Sequence, residues 1–363
     1  MLIDMPLEQL KTYQGRTPRP ADFDAYWDRA LAEMRAVDAK VELVPHDIGA
    51  DAGAECFDLW FTGVRGARIH AQYLRPKGAK GKDPRGAAER HPGVVEFHGY
   101  SGNTGEWTSK LRWISLGYSV AAMDARGQGG RSEDVGGVKG TTLRGHIIRG
   151  LDDEPDNLLM RHIFLDTAQL AGIVMGMPEV DPARVGCTGG SQGGGLTIAC
   201  AALEPRIRRA FPVYPFLCDY QRVWELDLAK DAYEELRYYF RTFDPQHLRE
   251  SEVFTRLGYI DNQHLAPRIR GEVRMATGLM DTVCPPSTQF AVHNHLRCPK
   301  SMIVFPDYGH EGLPWIGDPA FAFLAGPGRQ PDRERERHEP AHHDARPSPK
   351  GAALAAEYGF RIG

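Results

Sequence analysis

The sequence predicts an α/β protein, a mostly parallel, doubly wound sheet of about eight strands with helices on both faces. Three observations carry that expectation. Short apolar runs rich in β-branched and aromatic residues recur along the chain, segments of helical periodicity separate most of them, and the later runs are continuously apolar. Continuous apolarity is how strands buried on both faces of a parallel sheet read.

Taken in order, the runs 56–62 and 68–75 alternate in character and are joined by Gly63-Val64-Arg65-Gly66-Ala67, which predicts a hairpin. Strands are then expected at 93–98, 118–124, 185–189, 210–214, 273–278 and 300–305, and helices at 108–116, 162–176, 193–203 and 287–296. Near the start, a helix begins at Pro20-Ala21-Asp22-Phe23, with Asp22 as its cap and Phe23, Trp27 and Leu31 on its buried stripe. The stretch 217–263 is polar, aromatic-rich and helical, and falls between two core strands. It is expected to be an inserted cap on a single domain spanning 1–325. From 326 to 363 the chain turns charged and proline-rich, with too few apolar residues to fold alone, so a disordered tail is expected. In such a run His338, His342 and His343 are expected to be solvated rather than to bind metal.

Composition narrows the function classes. With 363 residues, 42% of them hydrophobic, the chain can bury a large core. Its 44 basic and 48 acidic residues leave a net charge of −4, too small for a long-range field. Neither nucleic acid nor an anionic membrane is therefore expected as a partner, whereas a neutral or weakly charged small molecule fits. Residues 1–8 carry no basic or apolar signal region, and no stretch approaches the ~18 apolar residues that span a bilayer, so a cytoplasmic protein is expected. Cys56, Cys187, Cys200, Cys218, Cys284 and Cys298 form no C-x-x-C pair, which argues against a zinc site or a disulfide framework. They read as small buried hydrophobes.

The strongest chemical signal is Gly189-Gly190-Ser191-Gln192-Gly193, a G-x-S-x-G segment between a predicted strand and a predicted helix. A serine at so sharp a turn adopts a strained backbone, and the flanking glycines let neighbouring chain approach. The other reading, a phosphate cradle or a plain tight turn, finds neither G-x-G-x-x-G nor G-x-x-x-x-G-K-[ST] here. Such an elbow calls for an acid and then a histidine further along the chain. Asp281 follows the strand at 273–278, and His310 follows the strand at 300–305, both at carboxyl ends where open α/β sheets place functional groups. In those positions His310 takes the Ser191 proton while Asp281 fixes the imidazole tautomer. Asp281 also reads as a helix cap before Pro286, and His310 as a surface-loop histidine. Asp307 is a rival acid, but three residues from His310 it lacks the reach of a separate loop. The sequence His310-Glu311-Gly312-Leu313-Pro314 lacks the second histidine of a zinc-protease helix, so no metal or cofactor is expected. An oxyanion hole needs two amides, and those of Gln192 and of Tyr100 in Phe97-His98-Gly99-Tyr100 are the candidates, although His98-Gly99 also reads as an ordinary turn.

Together with Arg126-Gly127-Gln128-Gly129 after Asp124 and with His310-Glu311, this elbow resembles carbohydrate esterase family 7, the acetyl xylan esterases and cephalosporin C deacetylases of the α/β-hydrolase superfamily. Asp22-Phe23 with Trp27, Phe97-His98-Gly99-Tyr100, and Gly278-Leu279-Met280-Asp281 followed by Cys284-Pro285-Pro286-Ser287-Thr288 look similar too. The resemblance covers about Pro20 to Glu311. It implies Ser191, Asp281 and His310 as triad, Tyr100 and Gln192 as oxyanion donors, and Arg126-Gly127-Gln128 as a structural motif. It also implies acetyl-ester hydrolysis and a cytoplasmic homo-oligomer, a hexamer by analogy. Two departures are visible. Leu158-Leu159-Met160 stands where the family tends to carry tyrosines, a replacement able to alter a wall or subunit contact, and the family's last helix gives way after Phe323-Leu324 to the polar tail. The competing functions are a peptidase, thioesterase or lactone hydrolase on the same scaffold, and a silent hydrolase fold serving as a binding module.

Overall fold

The structure, a computed structural model, describes residues 3–49, 51–78, 90–140 and 145–326. The expected tail falls outside these residues from position 327 onward. Nine strands among the described residues form one sheet: β1 (Glu42–His46), β2 (Ala54–Thr62), β3 (Arg68–Pro76), β4 (His91–Phe97), β5 (Ser119–Met123), β6 (Val180–Gly190), β7 (Arg209–Val213), β8 (Glu272–Gly278) and β9 (Lys300–Phe305). Their order is β1-β2-β3-β5-β4-β6-β7-β8-β9. The first three strands pair antiparallel, β3 continues antiparallel onto β5, and from β5 to β9 every pairing is parallel. This is the α/β-hydrolase fold.

β1 is the strand that the sequence reading lacks. It is largely exposed and contains Pro45, which cannot donate to a ladder and is tolerated at a sheet edge. Such a strand has neither the apolar run nor the alternation on which strand recognition rests.

The helices follow the chain. α1 (Leu7–Leu10) is a single turn, and α2 (Phe23–Ala36) buries Phe23, Trp27 and Leu31 as expected. Asp22 stands at the N-cap position of α2 but makes no side-chain capping bond. Its carboxylate instead accepts the Tyr259 hydroxyl at 2.5 Å and meets Arg29 at 3.5 Å, because these stronger partners compete for it. The helix expected at 108–116 is a 3-10 turn at Trp107–Lys110 followed by the short α3 (Leu111–Ile114). α4 (Leu159–Gly176) and α5 (Gln192–Leu203) pack against each other beside β6, and both are almost wholly buried.

Leu158, Leu159 and Met160 are 1%, 3% and 0% exposed and belong to the main core cluster. Where the family tends to carry tyrosines, this chain thus places three core side chains. They open α4 facing inward, where apolar side chains stabilise by ~1.5–3 kcal/mol each on burial.

Between β7 and β8 the chain forms α6 (Tyr220–Glu225), α7 (Glu234–Phe243), α8 (Glu250–Gly258) and α9 (Asn262–Leu265). The N-terminal residues are stitched to this insertion. Asp219, in a left-handed conformation just before α6, accepts the Tyr13 hydroxyl at 2.7 Å and the amides of Arg16 and Thr17 at 2.8 and 2.9 Å. Trp27 donates its indole N–H to the Tyr259 carbonyl. Two further helices close the described residues, α10 (Pro286–His295) and α11 (Gly317–Ala325). α11 ends one residue after the Phe323-Leu324 pair at which the family's last helix was read to give way, and both side chains are buried in a second core cluster with Phe211 and Trp113. Of the six cysteines, five are buried and Cys298 is half-buried, and all are free thiols. No helix among the described residues is long and apolar enough to cross a membrane.

Candidate active site

β6 runs directly into α5, and the residue at the turn is Ser191, with φ 57° and ψ −120°. A non-glycine residue holds such a backbone only where its surroundings over-determine it. Here they do. The Ser191 amide donates to the Val213 carbonyl of β7, and its own carbonyl accepts the amides of Gly195 and Phe216. A β-carbon at Gly193 would sit 2.1 Å from the Phe97 carbonyl oxygen, so only glycine lets α5 approach β4 this closely.

Asp281 and His310 lie on the loops after β8 and β9. Those loops are zipped together, with Leu279 N–H donating to the Phe305 carbonyl and Met280 N–H to the Tyr308 carbonyl. Asp281 is fully buried, and its Oδ1 accepts the amides of Val283 and Cys284 at 2.9 and 2.8 Å. The Asp281 Oδ2 faces His310 Nδ1 at 2.8 Å, and His310 Nε2 meets Ser191 Oγ at 2.9 Å. Three residues far apart in sequence thus form one continuous hydrogen-bonded chain from hydroxyl to imidazole to carboxylate. The ring of Tyr214 tilts against His310 at 4.7 Å, and the imidazole side chain stays 20% exposed. Asp281 serves His310 rather than capping α10, whose N-cap position is Pro285. Asp307 makes no bond to the imidazole. Asp281, Cys284 and His310 also offer donor atoms within 4.8 Å of one another. Both Asp281 oxygens are already occupied, and burial pushes the Cys284 thiol well above its usual range, leaving it neutral.

Of the two expected oxyanion residues, Gln192 opens α5 and Tyr100 lies on the loop after β4. Gln128 and Gln192 exchange side-chain amide hydrogen bonds at 2.9 Å, and Gln128 Oε1 also accepts the Ser101 amide at 2.9 Å. Gln128 therefore links the residue after Ser191 to the residue after Tyr100, a role that sequence reading had placed with the motif as a whole. His98 locks the same loop: its Nδ1 donates to the Gly99 carbonyl and its Nε2 accepts the Ala125 amide, a pattern only the neutral ring can make. Burial holds its imidazole below the usual histidine range, in agreement. A cavity of about 340 Å³ lined by Glu96, His98, Lys110, Gly190 and Tyr214 opens beside the elbow, but neither Ser191 nor His310 lines it.

Arg126 ties the segment after β5 to a helix. Its guanidinium clasps Asp166 of α4 in a two-pronged pair at 2.7 and 2.6 Å and reaches the Val64 carbonyl at 3.3 Å, with Arg126 1% and Asp166 0% exposed. Burial raises the Asp166 carboxyl and Arg126 opposes that rise. Arg126→Met is expected to leave Asp166 buried without its partner and to lower stability by about 3–5 kcal/mol, read from denaturant unfolding. A midpoint equal to wild type would show that the pair is dispensable.

Residues 1–326 match the acetyl xylan esterase (AXE1) family. The chain belongs to that family. Another relative is the acetyl esterase Axe7A of Xylanibacter ruminicola, 28% identical over 307 residues that make up 84% of this chain and 65% of that protein. The chain thus spans about two-thirds of that relative's length. Among solved structures, acetyl xylan esterase 1 from Thermoanaerobacterium sp. JW/SL YS485 is 60% identical with a TM-score of 0.84, covering 88% of this chain and 98% of that one. The acetyl xylan esterase from Paenibacillus sp. R4 is 36% identical with a TM-score of 0.83, covering 88% and 99%. Membership of the acetyl xylan esterase family agrees with the family read from the elbow, the Arg126-Gly127-Gln128 segment and the His310-Glu311 pair.

Proposed function

We propose that this chain is a serine esterase that removes acetyl groups from acetylated small carbohydrates through an acyl-enzyme. The observation that supports this best is the hydrogen-bonded chain of Ser191, His310 and Asp281 at a strand-to-helix elbow, in a member of the acetyl xylan esterase family. In this mechanism Ser191 Oγ attacks the ester carbonyl while His310 Nε2 takes its proton. The oxyanion forms against the amides of Tyr100 and Gln192, near the start of α5, whose dipole favours negative charge there. Collapse expels the sugar hydroxyl, protonated by His310. A water then gives a proton to His310 and attacks the acetyl-serine, releasing acetate and restoring the hydroxyl. Asp281 holds the Nδ1–H tautomer and stabilises the imidazolium in both halves.

A substrate panel tests the reading. Acetylated xylo-oligosaccharides, p-nitrophenyl acetate and cephalosporin C are expected to exceed octanoyl esters in kcat/KM by at least about tenfold, since a few methylenes in a fitted pocket discriminate at that scale. Faster turnover of long acyl esters, thioesters or peptide amides would overturn it. A cytoplasmic homo-oligomer, a hexamer by family likeness, belongs to the same proposal, and sedimentation of the purified chain as a monomer would remove the oligomer from it.

A further inference from the structure

We propose that Glu235, on α7 of the inserted segment, is a positioning residue for ester hydrolysis that holds the Tyr100 loop in place against Ser191. The role rests on the esterase reading above, in which the Tyr100 amide receives the oxyanion.

Glu235 is 3% exposed, and both of its carboxylate oxygens are used. Oε1 accepts the Tyr100 hydroxyl and the His146 amide, and Oε2 accepts the Ile148 amide at 2.9 Å. The Tyr100 hydroxyl itself accepts the His146 amide at 2.9 Å, so the three groups close a compact ring of bonds. Every donor in it belongs to the Tyr100 loop or to the 146–148 segment. Space is made for the carboxylate at Gly145, where a β-carbon would fall 2.4 Å from the Glu235 carboxyl carbon. A second contact runs in parallel: the Tyr100 ring packs edge-on to Phe216 at 5.4 Å, and the Phe216 amide donates to the Ser191 carbonyl at 2.9 Å. His146 closes the outer side, with its ring 4.9 Å from that of Tyr100 and its Nε2 3.0 Å from Ser101 Oγ. The insertion therefore grips the oxyanion loop through Glu235, and Phe216, just before the insertion, joins that loop to the nucleophile.

A buried carboxylate is costly unless its lone pairs are satisfied, and an apolar side chain would fill the same place without that cost. What the carboxylate alone supplies is three directed acceptor bonds. Burial pushes its carboxyl up to about 7, against the opposing pull of the Tyr100 hydroxyl and the backbone amides. The titratable groups facing it are Tyr100 from the oxyanion loop, His146 from the 146–148 segment and Tyr220 from α6, and burial holds His146 below the usual range. Among the described residues no guanidinium or ammonium pairs with it. Only the ionised form accepts all its donors. Protonation turns one oxygen into a donor facing a donor, so the clamp loosens as pH falls through about 7. The sign for stability is opposite. A carboxyl raised from 4.5 binds its proton more tightly in the folded state, so its contribution to stability declines as pH rises from 4.5 to about 7.

The test uses the full chain with p-nitrophenyl acetate across pH 5.5–9 and a fluorophosphonate that labels the active serine, normalising kcat to labelled sites. Glu235→Gln keeps the shape but cannot ionise, and Tyr100→Phe keeps the amide but loses the hydroxyl. Each is expected to lower kcat by about 10–100-fold with KM changed less than about threefold, because a loosened oxyanion donor is felt in the transition state. The double variant should fall little further than the worse single one. The loss of kcat below about pH 7 should be shallower in Glu235→Gln, which has no carboxylate to protonate at that position. Should Glu235→Gln fail to fold, Tyr100→Phe decides alone, since it removes one oxygen from a half-buried site. Wild-type protein that is not labelled at Ser191 would sink the esterase reading and this proposal with it. Wild-type protein that is labelled and active, beside variants that keep kcat within twofold and an unchanged pH profile, would overturn the positioning role alone.

Discussion

Ser191→Ala is expected to lower kcat on p-nitrophenyl acetate by about 10⁶-fold, the scale on which triad members act as a unit. The reason lies in the elbow. Ser191 Oγ is the nucleophile hydrogen-bonded to His310 Nε2, and its backbone is held by Val213, Gly195 and Phe216 whatever its side chain. The variant should therefore fold as the parent does, with the same thermal midpoint, and lose only the covalent step. A residual rate within a hundredfold of wild type would mean that the acyl group is transferred elsewhere.

Asp281→Asn is expected to cost about 10⁴-fold in kcat while leaving KM little changed. Geometry dictates this. Asp281 Oδ1 accepts two backbone amides, so in the asparagine variant the carbonyl oxygen must take that position and the NH₂ must face His310 Nδ1. Donor then meets donor. The imidazole shifts to the tautomer with its proton on Nε2, where it can no longer receive the Ser191 proton. Loss of less than about tenfold would show that the carboxylate does not set the tautomer.

Much of this architecture was legible because the signals are local. The elbow carries its own glycines, the parallel strands are continuous apolar runs, and Asp281 and His310 each follow such a run directly. What escaped was decided at a distance. β1 pairs through its backbone while exposing its side chains, so no hydropathy pattern marks it. The Arg126 and Asp166 pair spans 40 residues and two elements, and nothing in either neighbourhood names the other. α11 is short and lies against Trp113 and Phe211, whose positions only the folded sheet brings near. The faint sign that Glu235 matters was available: it stands four residues before Tyr239 on the stripe of α7 that also buries Leu236 and Phe240, a place usually given to an apolar side chain. Its partners, however, are 135 and about 90 residues away. Asp22 failed as a cap for a related reason, since a helix-start pattern says nothing about a tyrosine hydroxyl arriving from 237 residues downstream.

The zipper between the acid loop and the base loop has a mechanical corollary. Because Leu279 and Met280 are bonded to the backbone of β9 and its following loop, His310 and Asp281 are held on one joined unit. A substitution that displaces either loop would then carry the imidazole and the carboxylate together, so their mutual 2.8 Å contact would outlast their shared alignment with Ser191.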